Sequence, residues 1–174
     1  MHQAVFLEKH DLLEIAKPGA VFLLNTPYSK DEVWQHLPRV SQEHIIEKGL
    51  KFYIIDAYSV AKASNMGSRI NTIMQTCFFA ISDLFENEKA IAEIKQAVTR
   101  TYGSKGQDIL DNNYRAIDEA IASLHEITVP EQASSTFEKP PAVIESAPAF
   151  VRHVTGEIIA GHGNNIPVSL MPAD

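Results

Sequence analysis

The sequence predicts an α/β fold: an incomplete parallel sheet with flanking helices, followed by an extended Pro-rich tail. Three observations lead there. Two short apolar runs, Ala20–Leu24 and Lys51–Asp56, read as buried strands. Helical patterns fall between and after them, the order expected of a parallel sheet. Six of the nine prolines lie in residues 128–174: Pro130, Pro140, Pro141, Pro148, Pro167 and Pro172. With the polar stretch Glu131–Thr136, they mark a connector that runs over a surface. The resulting boundaries are 1–127 for a partial α/β domain and 128–174 for the connector.

The elements are expected in this order. Phe6–Ala16 carries Phe6, Leu7, Leu12, Leu13 and Ile15 at helical spacing, and Pro18-Gly19 stops it. After the first strand, Asn25–Tyr28 turns. Ser29 and Glu32 have capping-box spacing, so a helix is predicted to run to about Leu37, before Pro38. Ser41 can cap a second helix that Gly49 ends. A short helix and the loop Ser64–Ser68 come after the second strand. Arg69–Phe85 is apolar nearly all round (Ile70, Ile73, Met74, Cys77, Phe78, Phe79, Ile81, Leu84, Phe85), the pattern of a buried helix. Glu88–Tyr102 and a helix after a second capping box, Ser104 and Gln107, each carry one apolar stripe. They belong on the outside of a core. A third strand is expected near Ile166–Leu170. Within the tail, Phe150, Val151, Val154, Ile158 and Ile159 are apolar enough to dock.

So few strands leave a parallel sheet with open edges and bare faces. The economical expectation is that further strands precede residue 1 in a larger parent protein.

Composition excludes several function classes. The chain has 174 residues, 45% hydrophobic content and a net charge of -7. An acidic chain without a Lys/Arg cluster does not suit nucleic acid or an anionic membrane. No apolar run reaches the roughly 18 residues of a membrane helix. The single cysteine, Cys77, excludes an internal disulfide and a cysteine-ligated iron–sulfur cluster within the chain. A reducing, cytoplasmic compartment is expected. The seven histidines are scattered, so no metal site is predicted.

Two groups of residues are candidates for contact with a ligand or a neighbouring domain. Asn25, Thr26 and Asp56 stand at the carboxyl ends of the two strands, where open α/β sheets bind ligands. The alternative is that they satisfy a turn and cap a helix. Asn65, Arg69 and Asn71 stand around the start of the apolar helix. Backbone N–H groups there can hold an anion or a partner's carboxylate, with Arg69 assisting. The alternative is a helix cap with an interdomain salt bridge. No catalytic residue is assigned.

Four segments carry a resemblance. They are Leu24-Asn25-Thr26, Asn65-Met66-Gly67-Ser68-Arg69-Ile70-Asn71-Thr72-Ile73-Met74-Gln75-Thr76, Thr101-Tyr102-Gly103-Ser104-Lys105-Gly106 with the later Asn112 or Asn113 and Ala116-Ile117-Asp118, and Pro167-Val168-Ser169. In order and spacing the chain resembles the 2-oxoacid oxidoreductase family, in particular the gamma-type middle domain of single-chain pyruvate:ferredoxin (flavodoxin) oxidoreductases. The resemblance implies a parent that decarboxylates pyruvate on thiamine diphosphate and Mg, passes electrons through iron–sulfur clusters to ferredoxin or flavodoxin, and acetylates coenzyme A. It implies a homodimeric parent whose other domains are this chain's partners. The family's glycine-rich opening is expected before residue 1, and its cysteine-rich, ferredoxin-like domain after Asp174. On that expectation the chain is a fragment, inactive alone and without a cofactor of its own. Two other readings stay open: a separate gamma-type subunit, and an unrelated α/β small-molecule binding module.

Overall fold

The computed structural model describes residues 1, 3–82 and 87–171. Within them, β1 (Val21–Asn25) and β2 (Lys51–Ile55) pair in parallel, with Asn25 opposite Ile55. β3 (His125–Ile127) adds to β2 in antiparallel register, Phe52 opposite Ile127, giving the order β1-β2-β3. The third strand is therefore not at Ile166–Leu170. Pro167 offers no N–H to a ladder, and Val168–Leu170 forms a single 3₁₀ turn. The segment at β3 has only three residues, two of them exposed, so it lacks an apolar run to announce it.

Strand alternation divides the core into two layers. Phe22, Leu24, Phe52, Ile54 and Ile127 face one side. Val33, Trp34, Leu37, Ile45 and Leu50 cover them, helped by Leu7 and Leu13. Phe22 and Phe52 stack across the parallel pair, with ring centroids 5.2 Å apart. Leu23 and Ile55 face the other side, toward α3 (Ala57–Ala63), α4 (Asn71–Ile81) and α6 (Gln107–Ala122). There Ile73, Cys77, Ala116 and Ala120 are fully buried. α5 (Asn87–Tyr102) packs outside them, Ile94 and Val98 against Ile117, as its single stripe predicts.

α4 departs from the expectation of a helix buried all round. Ile73, Thr76 and Cys77 are inside, yet Phe78 is 51% exposed on the opposite side. Asn71 and Gln75 are exposed as well, so Phe78 is the one apolar residue among the helix's exposed positions. Leu84 and Phe85 lie outside the described residues.

Several boundaries differ for local reasons. α1 spans only Val5–Lys9, because His10 is extended. The Lys48 ammonium then holds the carbonyls of Leu13 and Glu14. Ser29 and Glu32 do bond, hydroxyl to carboxylate at 2.6 Å. Only one 3₁₀ turn, Val33–His36, comes after them, because Leu37 precedes a proline and must be extended. α2 (Arg39–Glu47) starts directly after Pro38, so Ser41 is an interior, buried residue and not a cap. Gly49 closes the region at φ 57, in the left-handed region. Ser104 sits in a separate 3₁₀ turn, and Gly106 at φ 114 opens α6 in place of a capping box.

The tail forms no helix or strand over residues 128–144. It is not extended throughout. Val151–Thr155 makes a π-helical turn that continues into α7 (Gly156–Ile159), and Val154 is buried. Phe150, Ile158 and Ile159 are exposed.

The Phe22–Phe52 stack sets the centre of the first layer. Phe52→Ala is expected to lower unfolding free energy by about 3–5 kcal/mol, read as a lower denaturation midpoint in urea. A change below about 1 kcal/mol would mean that the layer is not packed as described.

Candidate functional site

The carboxyl ends of β1 and β2 bring Asn25, Thr26 and Asp56 together, but their polar atoms mainly serve the backbone. Asn25 is 5% exposed and accepts a hydrogen bond from the Ala57 N–H at 2.9 Å through its side-chain oxygen. Thr26 is 1% exposed; its N–H donates to the Ile55 carbonyl at 2.9 Å, which extends the ladder by one residue. Its hydroxyl accepts the Tyr28 N–H at 3.3 Å. Asp56 caps α3, accepting from the Ser59 N–H at 3.1 Å and the Ser59 hydroxyl at 2.6 Å.

Of the three, only Asp56 borders the open cleft of about 600 Å³ beyond the strand ends. Tyr28, Lys30, Asp31 and Glu32 form one wall, and Glu119 and His125 lie on the other. Four carboxylates therefore face one ammonium across that space. Glu32 stays ionised because the Ser29 hydroxyl and then the Ser29 N–H hold its carboxyl below the usual range. This lining repels anions. A smaller cavity of about 190 Å³ lies beside it, with Thr26, the stacked Tyr28 and His36 rings, and Phe137 of the tail around it.

Asn65, Arg69 and Asn71 sit apart from that edge. α3 has seven residues, so its two ends are about 10 Å apart. Asp56 is at one and Asn65 at the other. Asn65 has φ 57, a left-handed conformation that asparagine tolerates better than most residues. The Asn65 N–H donates to Lys62 O at 3.2 Å, and the Met66 N–H to Ala61 O at 2.8 Å. That pair of bonds is a Schellman cap, and buried Met66 supplies its apolar contact. Arg69 donates through Nε to the Met66 carbonyl at 3.1 Å, while the residue as a whole is exposed. Asn71 is the exposed first residue of α4. The most specific segment of the sequence thus acts locally as a helix-ending cap and turn.

Sequence reasoning missed the most consequential polar residue, Gln42. It is 0% exposed in α2 and donates through Nε2 to the Trp34 carbonyl. Its Oε1 accepts the N–H groups of Ser134 at 2.8 Å and Ser135 at 2.9 Å. The available signal was a glutamine three residues before Ile45, on the apolar face of a helix.

No group of three or more His, Cys, Asp or Glu side chains among the described residues is placed to hold a metal ion. One cysteine does not make a ligand set for an iron–sulfur cluster. Cys77 is buried against α6, and desolvation pushes its thiol up to about 12. No helix among the described residues is long and apolar enough to cross a membrane.

The fold and these strand-end contacts define an α/β domain segment that presents an acidic cleft and contains no assembled catalytic centre among its described residues. Residues 1–123 match the family model for pyruvate ferredoxin/flavodoxin oxidoreductase, and residues 136–174 match a domain of unknown function, EKR. The chain is similar to the pyruvate-flavodoxin oxidoreductase of Rhodospirillum rubrum, 47% identical over 99% of this chain and 14% of the relative. It is 42% identical to that of Nostoc sp., over 99% of this chain and 15% of the relative. The pyruvate:ferredoxin oxidoreductase of Moorella thermoacetica is 39% identical over the same shares. The chain belongs to the pyruvate ferredoxin/flavodoxin oxidoreductase family. It spans about 14% of the length of the curated relatives it matches. That kinship removes the reading as an unrelated small-molecule module.

Two tests check the site. Asn25→Ala leaves a buried N–H without its acceptor and is expected to cost about 1–3 kcal/mol, whereas Asp56→Ala, which removes a more exposed cap, costs about 0.5–2 kcal/mol. Denaturation of both variants checks the order. For Cys77, the folded thiol stays protonated up to about 12 while the unfolded one ionises near 9.0. The native state then binds more protons across that window, so stability falls as pH rises through it. A thiol reagent at pH 8 should label Cys77 only on unfolding; rapid labelling of the folded chain contradicts its burial.

Proposed function

We propose that this chain works as an interior piece of a larger oxidoreductase that oxidatively decarboxylates pyruvate to acetyl-coenzyme A. Residues 1–127 serve as a partial gamma-type α/β domain, and residues 128–174 connect it toward a ferredoxin-like cluster domain. The parent is a cytoplasmic homodimer that uses thiamine diphosphate, Mg, iron–sulfur clusters and coenzyme A, and delivers electrons to ferredoxin or flavodoxin. In this reading the chain contributes shape and packing; Asn65, Arg69 and Asn71 face a neighbouring domain, with Arg69 as the exposed charge.

The observation that carries the reading is the pair of family matches in chain order, within relatives about seven times longer. The sheet supports it. The Met1 ammonium donates to Leu23 O, and the Asn25 N–H donates to Met1 O at 2.8 Å. Those two bonds flank Leu24 as a parallel bridge does, so the outer edge of β1 has the geometry to take a parallel strand.

A chimera tests the proposal: this chain replaces the matching segment of the Rhodospirillum rubrum relative. The chimera is expected to oxidise pyruvate with coenzyme A and reduce flavodoxin, and the isolated chain to do neither. A folded chimera without activity, or turnover by the chain alone, would overturn it.

A further inference from the structure

The segment that matches a domain of unknown function begins at residue 136. Its approach and first residues are bound to the α/β domain at successive points. Gln42 is the first. Its fully buried side chain spans from the Trp34 carbonyl on one side to the N–H groups of Ser134 and Ser135 on the other. The second point is the start of α2. Pro38 precedes the helix and offers no side-chain cap. The Phe137 carbonyl instead accepts the Arg39 N–H at 2.9 Å, one of the donors that a helix start leaves free. The turn is held in shape by the Phe137 N–H, which donates to the Ser135 hydroxyl at 3.1 Å. Proximity to a carboxylate makes the third point: Asp11 Oδ1 lies 3.8 Å from the Lys139 ammonium and 3.1 Å from His44 Nδ1 of α2, and none of the three atoms makes a hydrogen bond among the described residues.

We propose that residues 133–139 are a fixed strap of the α/β domain, which caps α2 and sets the direction in which the rest of the tail leaves. The flexible joint therefore does not lie at residue 128, where regular structure stops. The tail beyond residue 139 also folds onto itself: a Cβ at Gly156 would stand 3.0 Å from Val143 Cγ2, a close approach that glycine permits. A strap clamped to a buried glutamine is a spacer of defined geometry, unlike a tether whose ends explore a volume. The inference concerns this chain alone, and it stands or falls independently of the reaction that the larger enzyme performs.

Hydrogen exchange on the 174-residue chain tests it directly. The amides of Ser134 and Ser135 should be protected in the wild-type protein, with protection comparable to that of α2. Gln42→Met keeps the volume and removes both clamp functions. It should speed exchange over 133–139 by about ten-fold or more while α4 and α6 are unchanged. A second variant avoids the core: Asp11→Asn should speed cleavage by a glutamate-specific protease at exposed Glu138 several-fold. Exchange of the 134 and 135 amides at unfolded rates in the wild-type chain overturns the strap. So does a Gln42→Met variant in which exchange rises equally in every element.

Discussion

A parallel strand pair cannot stand in water on one face, and every other element here answers that constraint. β1 and β2 place apolar side chains on both sides. Their connection must cross over one face, which supplies α2 and the Trp34 turn as the first cover. The second face falls to the chain after β2. α3 leaves directly from Asp56, and α4 and α6 close over Leu23 and Ile55. Small residues make that closure tight: Cys77 of α4 approaches the Ala120 carbonyl of α6 at 3.8 Å. A bulkier pair there would hold the helices apart and lift both from the sheet.

The polar groups obey a second constraint, since each turn at a sheet end must satisfy its own backbone. The chain does this with side chains placed at element ends. Asn25 holds the start of α3, Asp56 caps it, and Asn65 ends it in a left-handed turn. Where a proline blocks this solution, at the start of α2, a carbonyl almost a hundred residues later takes the place of a cap. The tail is thus part of the accounting for the domain's hydrogen bonds and not an appendage to it.

Most of the architecture was legible because apolar periodicity reports burial. The strands at 21–25 and 51–55 and the stripes of α5 and α6 could be read directly. The failures share a cause, which is that periodicity does not say what covers a face. α4 reads as buried all round, yet its exposed positions are Asn71, Gln75 and Phe78, and two of those three are polar. β3 is too short to show a period, and its position comes from pairing with β2. The strand-end residues were legible as a group, but their polar atoms were claimed by backbone groups that only the fold brings near. Gln42 could not be found from the local pattern, because its partners lie about ninety residues away.

Electrostatics then limits what this segment can contribute to a larger enzyme. The chain carries a net charge of -7, and the cleft at its strand ends gathers Asp31, Glu32, Asp56 and Glu119 around Lys30. A phosphate-bearing cofactor placed there would meet like charges at short range and lose its hydration without compensation. Arg69, which stands at the opposite end of α3, offers an exposed guanidinium outside the acidic cleft. α3 therefore separates an edge lined mainly by carboxylates from a turn that carries an exposed cation. On α4 a single aromatic ring, Phe78, stands exposed beside the polar Asn71 and Gln75, and at the edge of β1 the Leu23 carbonyl and the Asn25 N–H are already bonded to Met1.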